Sequence, residues 1–326
     1  MSRHAVRLVV VNAEPPRLEA FAALPQLLRR GDLVVVNDAA TLPGSLPGRT
    51  ADGRGFELRL SGPIEAGRLF GVVLGAGDFR IRTEHRAAPP VIAVGEHVTI
   101  AGLGATVASA AGRRVELIVR AEADVLWQAI YAAGAPVQYA HRPERLALWS
   151  VQTAYAARPW AAEMPSAGRP LTWDVVVGLR RAGVGLASLT HAAGLSSTGD
   201  DALDRALPWP ERYELPRRTI DAVAETRARG GRVIAIGTTV VRALEAAAEH
   251  GELRAGSGVA TVRLDGRYRP RVVSGLVSGL HVPGESHFEL LQAFAPAAQL
   301  ERAIALASAH GLSSHELGDA CLIVPA

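Results

Sequence analysis

A strand pattern that ends at a glycine and two hydroxyl residues is the clearest candidate for binding chemistry in the chain. Residues 232–236 are followed by Gly237-Thr238-Thr239, after which a helical pattern begins. Backbone N–H groups and the helix dipole favour an anion at such a position. A tight turn with a threonine N-cap has the same local sequence, so both interpretations stay open. Arg242 and Glu245 on this helix are predicted either to pair with each other or to contact a ligand.

Two further polar residues lie at the ends of apolar runs, where they could transfer protons. His281 follows the apolar stretch 272–280 and precedes Val282-Pro283, which predicts a strand end. Imidazole titrates near neutral pH and can act as a general acid or base. Asp319 precedes another apolar run, so its carboxylate could pair with an arginine or accept a proton from a ligand. A structural histidine and an exposed turn aspartate are the alternatives.

The elements that would position these residues predict an α/β architecture. Buried strands are expected at 33–36, 185–190 and 232–236. Helices are expected around 125–130, at 175–181, at 217–229 and from the Gly237 turn to His250. Strands that alternate with helices form a sheet covered by helices. The first of these strands ends at Asn37-Asp38, and polar strand ends are common ligand sites.

Between residues 49 and 121 the pattern changes to short strands separated by Gly, Pro and Asp turns. The candidate strands are 56–60, 69–74, 79–82, 97–100, 105–108 and 115–119. Short strands without intervening helices predict a small barrel or sandwich, and closure removes exposed strand edges. The predicted fold class is therefore an α/β catalytic domain, residues 1–48 and 122–326, with an inserted all-β barrel domain, residues 49–121.

Composition limits the classes of function. The 326 residues are 48% hydrophobic, which fits a folded chain of roughly two domains. A net charge of +3 permits a local anion-binding face without a strong basic stripe. Cys321 is the single cysteine, so no intrachain disulfide can form, and a reducing cytoplasm is expected. The apolar runs are too short for a signal sequence or a membrane span.

Several common catalytic motifs are absent. The sequence contains no lysine, which excludes a phosphate-binding loop of the Walker type. Gly102-Leu103-Gly104 lacks the third glycine of a dinucleotide fingerprint, and no Gly-x-Ser-x-Gly elbow occurs. The histidines do not show the spacing of a metal site, so no metal is predicted.

Ordered blocks along nearly the whole sequence resemble the S-adenosylmethionine:tRNA ribosyltransferase-isomerase family of queuosine biosynthesis. Residues 31–38 are similar to the family's GDLLVLND, and residues 237–245 match GTTVVRTLE almost completely. Further blocks resemble YQTVYA, AAPTAGLHFT, TLHVGxGTF, HxMHxE, FHLP and the terminal GDA, at 152–156, 161–172, 189–197, 209–213, 280–283 and 318–320.

The resemblance implies a reaction and a set of site residues. Family members transfer the ribosyl group of S-adenosylmethionine to a 7-aminomethyl-7-deazaguanine base in tRNA and isomerise it to epoxyqueuosine, releasing adenine and methionine. S-adenosylmethionine is thus the implied substrate and tRNA the implied partner. The residues assigned to proton transfer are His281, Glu211, Asp319 and His191. The residues assigned to substrate binding are Asn37, Asp38, Gly168, Gly237, Thr238, Thr239 and Arg242.

Some positions depart from the family pattern and keep other functions open. Ala40 and Ser45 stand where the family has arginines, Trp209 stands at a histidine position, and Arg169-Pro170-Leu171 replaces a segment with a histidine. One alternative is a related enzyme with a different, small-molecule acceptor. Another is a non-catalytic nucleoside- or RNA-binding protein. Arginines that could contact tRNA phosphates occur at 29–30, 113–114, 142, 145, 180–181, 217–218, 267, 269 and 271.

The role assigned to Arg242 leads to an expectation about its replacement. If the guanidinium lines the substrate site, Arg242→Ala weakens S-adenosylmethionine binding and leaves thermal stability nearly unchanged.

Overall fold

The chain folds into an α/β domain whose sequence is interrupted by a closed β-barrel. The structure, a computed structural model, describes residues 2–314 and 317–325. In chain order the strands are β1 (Arg7–Val10), β2 (Arg17–Ala20), β3 (Leu33–Asn37), β4 (Ala39–Thr41), β5 (Ser45–Thr50), β6 (Gly55–Leu60), β7 (Arg68–Leu74), β8 (His97–Ile100), β9 (Leu103–Ala111), β10 (Arg114–Val119), β11 (Arg158–Ala161), β12 (Gly185–His191), β13 (Glu211–Leu215), β14 (Val233–Ile236), β15 (Gly256–Ala260), β16 (Gly275–Gly279) and β17 (Ala320–Ile323). The helices are α1 (Leu24–Leu27), α2 (Ala123–Ala133), α3 (Leu148–Val151), α4 (Trp173–Arg181), α5 (Asp201–Arg205), α6 (Arg217–Ala228), α7 (Thr238–Ala247), α8 (Ser286–Leu291) and α9 (Ala297–Ala309). Among the described residues, no helix is long and apolar enough to cross a membrane.

A nine-stranded sheet forms the centre of the α/β domain. Its strand order is β15-β13-β12-β3-β14-β16-β17-β1-β2. The central strands β12, β3, β14 and β16 are parallel, and Val34 of β3 lies beside Leu186 on one side and Ile234 on the other. Antiparallel pairing adds β13 and β15 at one end and β17 next to β16. The parallel strands therefore present their carboxyl ends at one edge of the sheet.

Helices cover both faces of this sheet, which explains why its central strands are apolar throughout. Val35 packs in a core with α6, α7, α8 and α9, whereas Val34 and Val36 pack on the opposite face with α1 and α4. Strands buried on both faces are typical of a parallel sheet between helix layers. Burial of each such valine stabilises the fold by about 1.5–3 kcal/mol, so a large apolar core holds the strand ends in place.

The inserted domain is a closed antiparallel barrel with the strand order β10-β7-β6-β5-β8-β9. Pairing of β9 with β10 closes it. Aliphatic side chains such as Leu58, Leu69 and Leu117 fill the interior, and Leu126 and Ile130 of α2 pack against the same core. The predicted fold class, an α/β domain with an inserted all-β barrel, is confirmed.

Residues 79–82 do not form the strand that the sequence pattern predicts. The side chain of Asp78 accepts a hydrogen bond from the backbone N–H of Arg80 at 2.9 Å, and its carbonyl accepts one from Ile81 at 3.1 Å. Ile81 is exposed to solvent. An aspartate that bonds the backbone two residues ahead favours a turn over a strand, and here the turn prevails.

The remaining barrel strand is β5, which begins at Ser45, upstream of residue 49. Pro47 and Gly48 conceal it in the sequence, because both residue types are uncommon inside strands. Pro47 nevertheless pairs with Glu57 in the barrel register. A methyl group at Gly48 would lie 2.4 Å from the ring of Phe56, so this glycine makes room for an aromatic side chain.

Candidate active site

The carboxyl ends of the parallel strands bring several predicted site residues to one edge of the sheet. β3 ends at Asn37 and β12 at His191, while Gly237 follows β14 and His281 follows β16. In the sheet, β3 lies between β12 and β14, both of which follow it in the chain, so the strand order reverses at β3. Ligands bind outside strand ends at such reversals of strand order. The strand-end cluster is defined as Asn37, Asp38, Gly237, Thr238, Thr239 and His281.

Asn37 links three elements of this edge through its buried amide. Its Nδ2 donates to the backbone carbonyl of His191 at 2.9 Å and to Thr239 Oγ1 at 3.4 Å. Its Oδ1 accepts from the backbone N–H groups of His191 at 2.9 Å and Ala39 at 3.0 Å. The amide thus fixes the ends of β3 and β12 and the start of α7 relative to one another.

Asp38 and Gly168 both interact with Tyr155. Asp38 Oδ1 accepts a hydrogen bond from the hydroxyl of Thr190 at 2.6 Å, and Tyr155 donates to the carbonyl of Gly168 at 3.3 Å. Burial, and then the charge of Asp38, raise the pKa of the Tyr155 hydroxyl, which therefore stays protonated. A methyl group at Gly168 would lie 2.3 Å from the Tyr155 oxygen, so a side chain there would displace the phenol.

The turn after β14 combines a left-handed glycine with the start of a helix. Gly237 has φ of +92° and donates its N–H to the carbonyl of Val277 at 2.8 Å. Because the N-cap is glycine, no side chain caps α7 from this position. Thr238 and Thr239 are partly exposed. Uncapped N–H groups beside accessible hydroxyls can bind an anion, and the anion site at this turn stays a prediction.

Arg242 lies in the protein interior, where it pairs with Glu211 of β13. Its guanidinium contacts Glu211 Oε2 and donates to three backbone carbonyls, those of Ala260 at 3.0 Å and of Trp209 and Val262 at 3.3 Å. Glu211 Oε1 accepts the N–H of Gly194 at 2.5 Å. Burial raises the pKa of Glu211 and lowers that of Arg242. The ion pair therefore fastens α7 to β13 and β15.

Arg242 and Glu245 do not pair with each other, and contact of either residue with a ligand stays a prediction. Glu245 accepts hydrogen bonds from the backbone N–H groups of Arg271 at 2.8 Å and of Val272 and Val273 at 3.0 Å. The hydroxyl of Tyr268 donates to it at 3.1 Å. Its carboxylate therefore holds the loop before β16, and it does not pair with Arg242.

His191 is fully buried next to this ion pair. Its Nε2 lies 3.5 Å from Glu211 Oε2, and among the described residues neither ring nitrogen has a hydrogen-bond partner. Burial, and then the charge of Arg242, lower the pKa of His191 to about 3. The imidazole is therefore neutral at physiological pH. We refer to His191, Glu211 and Arg242 as the buried triad.

His281 lies beside Glu285 and His287, which were not predicted from the sequence as site residues. Its ring stacks on that of His287, with centroids 4.7 Å apart and planes inclined by 12°. Its Nδ1 lies 3.3 Å from Glu285 Oε2. Burial, and then the adjacent His281, lower the pKa of His287 to about 3. The spacing of Glu285 four residues after His281 is the signal that could have identified this group.

Asp319 is buried, and its carboxylate is occupied by contacts within the protein. Oδ1 accepts from the backbone N–H of Arg7 at 2.7 Å, and Oδ2 accepts from that of Ser313 at 2.9 Å. The Arg7 guanidinium pairs with Oδ2 at 3.4 Å. The structure does not bring Asp319 into contact with the buried triad. A proton-transfer role for Asp319 stays a prediction, whereas its anchoring of β1 is direct.

Within residues 2–314 and 317–325, no group of three or more His, Cys, Asp and Glu side chains is arranged to hold a metal ion.

The fold and the site define a class of ligand-binding proteins and enzymes. Its features are an α/β sheet with an inserted barrel and polar strand ends at a reversal of strand order. Sequence comparison specifies the family. Residues 1–323 match the family model described as queuosine biosynthesis protein, and the chain belongs to this family. A protein of Acidiphilium cryptum named S-adenosylmethionine:tRNA ribosyltransferase-isomerase is 33% identical, with 98% of this chain and 93% of the relative covered. A relative of the same name from Synechococcus elongatus is 31% identical, with coverages of 99% and 90%.

A solved structure has a similar fold. The crystal structure of an S-adenosylmethionine tRNA ribosyltransferase from Thermotoga maritima superposes with a TM-score of 0.53 and 23% sequence identity. The similarity covers 99% of this chain and 93% of that chain, so it includes both the α/β domain and the barrel.

Proposed function

We propose that the protein transfers the ribosyl group of S-adenosylmethionine to the 7-aminomethyl-7-deazaguanine base of a tRNA and isomerises it, forming epoxyqueuosine-tRNA. The observation that carries the proposal is the family match over residues 1–323. Relatives that bear the name of this activity align over nearly their whole length, which extends the match to both domains. Because the acceptor is tRNA, the proposal also places the protein in the cytoplasm.

The reaction requires proton transfers that the strand-end cluster can support. The sulfonium of S-adenosylmethionine acidifies the adjacent C5′ hydrogens, so a base must remove one of them. Adenine then needs a proton as it leaves, and methionine leaves with the electron pair of the broken carbon–sulfur bond. We assign these proton transfers to His281, because its ring is part-exposed and Glu285 contacts its Nδ1. A carboxylate on one ring nitrogen fixes the orientation of the imidazole, so that the other nitrogen can face a substrate.

Substrate binding is assigned to the start of α7. The methionine carboxylate is the anion that the uncapped N–H groups after Gly237 would bind, with Thr238 and Thr239 beside it. Asn37 holds Thr239 and the end of β12 in register, as its hydrogen bonds indicate. Asp38 and Gly168 lie next to Tyr155 and complete this side of the proposed site.

The buried triad is assigned a positioning role. Glu211 and Arg242 bind each other and backbone groups, so neither needs to touch the substrate to affect the reaction. Their loss would shift α7 relative to the sheet, because Arg242 joins that helix to β13 and β15. A direct proton-transfer role for His191 would require its buried ring to become accessible to the substrate.

A different acceptor is the second candidate, and one contact favours it. Trp209 stands at a histidine position of the family pattern, and the guanidinium of Arg114 lies 4.5 Å from its ring centroid. This pair joins the barrel to the segment before β13. The tryptophan changes the side chain offered at this position, whereas residues 237–245 keep the family pattern almost completely.

Measuring the release of adenine and methionine distinguishes the two candidate functions. The purified protein is incubated with S-adenosylmethionine and either a tRNA carrying 7-aminomethyl-7-deazaguanine or the same tRNA with guanine, and adenine and methionine are measured chromatographically. The proposal predicts stoichiometric release with the modified tRNA alone. His281→Gln should abolish release, whereas the exposed-site control His97→Gln should not. Equal release with both tRNAs would favour another acceptor, and absence of release in every mixture would contradict the enzyme assignment.

A further inference from the structure

A cavity lined by the barrel and by residues 133–145, called the barrel cavity below, has features of an anion site that the proposed reaction does not use. Its volume is about 510 Å³, and none of the residues of the strand-end cluster or the buried triad lines it. That volume is within the ~300–1,000 Å³ typical of ligand sites. Charged residues dominate one part of the lining, namely Glu57, Arg59, Asp78, Arg80, Arg86 and Arg145.

The carboxylate of Glu57 at the base of this cavity is already saturated. Its Oε1 accepts from Arg59 Nε and from the hydroxyl of Ser45, both at 2.8 Å, and its Oε2 pairs with Arg86. The other nitrogens of Arg59 donate to Thr83 Oγ1 at 3.2 Å and to the carbonyl of Gln138 at 3.0 Å. Glu57 and Arg59 are therefore satisfied without a ligand.

Arg86 differs from Glu57 and Arg59, because two of its nitrogens have no partner among the described residues. Its side chain is only 2% exposed, yet among the described residues its Nε and Nη2 have no hydrogen-bond acceptor. It also shares the carboxylate of Glu57 with Arg59, while the charge of Glu163 acts on Arg59 as well. Unpaired donors on a buried cation are costly, and a bound oxyanion would satisfy both.

The rim of the cavity carries further positive charge. Arg145 is exposed there, in a segment held in place because Gln138 Oε1 accepts the N–H of Leu146 at 2.9 Å. Arg80 lies over the ring of Phe79, at 4.6 Å from its centroid, and pairs with Asp78. The lining therefore offers four guanidinium groups against two carboxylates. The planar fork of guanidinium matches the oxygens of a phosphate group.

We propose that the barrel cavity binds a phosphate group, with Arg86 and Arg145 as its ligands. The phosphate could belong to the backbone of a polynucleotide or to a free anion such as inorganic phosphate or a mononucleotide. The phosphate site itself is independent of the proposed ribosyl transfer. Assignment to a tRNA phosphate rests on that proposed function and would make the barrel a second contact for the acceptor.

The test compares two cavity variants with one control, which lies four residues before Arg86. Arg86→Gln and Arg145→Gln each remove one proposed ligand, and Arg82→Gln removes an exposed arginine that pairs with Glu84 outside the cavity. Binding of inorganic phosphate and of adenosine monophosphate is measured by equilibrium dialysis without S-adenosylmethionine. We expect each cavity variant to bind about tenfold more weakly, the effect of one charge-assisted hydrogen bond, and the control to bind as the unmodified protein does.

Thermal unfolding of each variant separates loss of a ligand from loss of the fold. Should Arg86→Gln unfold the barrel, Arg145→Gln decides the question, because its exposed side chain is not part of the core. Either of two results would overturn the proposal. The first is equal phosphate affinity in Arg145→Gln and Arg82→Gln. The second is no phosphate binding by the unmodified protein together with unaltered tRNA binding in Arg145→Gln.

Filter binding of tRNA identifies the source of the phosphate. Weaker tRNA binding in Arg145→Gln, with competition by inorganic phosphate, would identify a backbone phosphate. Unaltered tRNA binding with weaker binding of the small anions would identify a free phosphate. Since these measurements involve no turnover, failure of ribosyl transfer does not affect their interpretation.

Discussion

His191, Glu211 and Arg242 come from three separate elements and lie together in the protein interior. The charges of Glu211 and Arg242 act on each other, and the charge of Arg242 also lowers the pKa of His191. Glu211 and Arg242 are 31 positions apart, and His191 approaches the same carboxylate at 3.5 Å. The low dielectric around them makes removal of one partner more costly than its loss at the surface. Their contribution to folding can therefore be measured separately from any effect on substrate.

Arg242→Ala should destabilise the protein, contrary to the expectation from sequence. The change leaves the buried carboxylate of Glu211 without its cation and frees three backbone carbonyls, which should cost about 3 kcal/mol of unfolding free energy. Urea denaturation measures the loss. The matched control is Arg217→Ala, which breaks an exposed pair with Asp221 and should cost less than about 1 kcal/mol. Equal midpoints and slopes for both variants would contradict the buried ion pair.

The histidines His191 and His287 should make stability depend on pH below neutrality. Both have a folded-state pKa of about 3 against an ordinary value of 6.5, so below pH 6.5 the unfolded chain binds protons that the folded chain excludes. Stability is therefore full above pH 6.5 and falls toward pH 3, by up to about 1.4 kcal/mol per pH unit for each histidine.

Replacement of one buried histidine tests this dependence. His191→Leu should reduce the slope of unfolding free energy against pH between about 3 and 6.5, by up to about 1.4 kcal/mol per unit. The exposed His97, changed to Gln, serves as the control and should leave the slope as it is. An unaltered slope in His191→Leu would show that this imidazole is protonated in the folded protein.

Among the secondary-structure elements, strands with regular patterns were predictable from sequence, whereas strands shaped by distant contacts were not. β6, β7 and β10 follow short apolar or alternating runs, and the turn residues around them indicate their ends. β5 could not be identified, because the reason for Gly48 is the ring of Phe56 on the neighbouring strand. The run 79–82 fits a strand in isolation, yet Asp78 bonds the following backbone and forms a turn.

The same limit applies to the candidate site. Asn37, Gly237 and His281 were identifiable because each lies at the end of an apolar run, and strand ends meet at one edge of a parallel sheet. The partners of Arg242 and Asp319 were not identifiable from local sequence. Glu211 and Arg7 reach these side chains only through the tertiary fold, from 31 and 312 positions away.

Gly48 provides a test of the barrel packing at the level of one element. Gly48→Ala places a methyl group 2.4 Å from the Phe56 ring, so the ring must move and stability should fall by about 1–3 kcal/mol. Gly104→Ala in β9, where a methyl group meets no atom within 4 Å, is the control and should have little effect. Thermal denaturation of both variants measures the difference. A second change, Phe56→Leu, should restore part of the loss, and equal melting temperatures without it would contradict the packing.

Across the whole molecule, the arginines are distributed over more than one surface. Arg29 and Arg30 precede β3, and Arg180 and Arg181 precede β12, so both pairs lie at the amino ends of the parallel strands, opposite the strand-end cluster. Arg271 donates to carbonyls at the carboxyl end of α7, away from Gly237. The sequence marked these arginines as possible contacts for tRNA phosphates, and they do not lie beside the strand-end cluster. Arg145, by contrast, lines the barrel cavity.

The central claim is that ribose carbons move from S-adenosylmethionine to a tRNA base on this chain. The most direct measurement uses S-adenosylmethionine with carbon-13 throughout its ribose and a tRNA carrying 7-aminomethyl-7-deazaguanine. After reaction, the tRNA is digested to nucleosides and analysed by mass spectrometry. We expect a new nucleoside that contains the full set of labelled ribose carbons and forms in the same amount as the released adenine. Release of adenine with the tRNA nucleosides unlabelled, or no reaction at all, would contradict it.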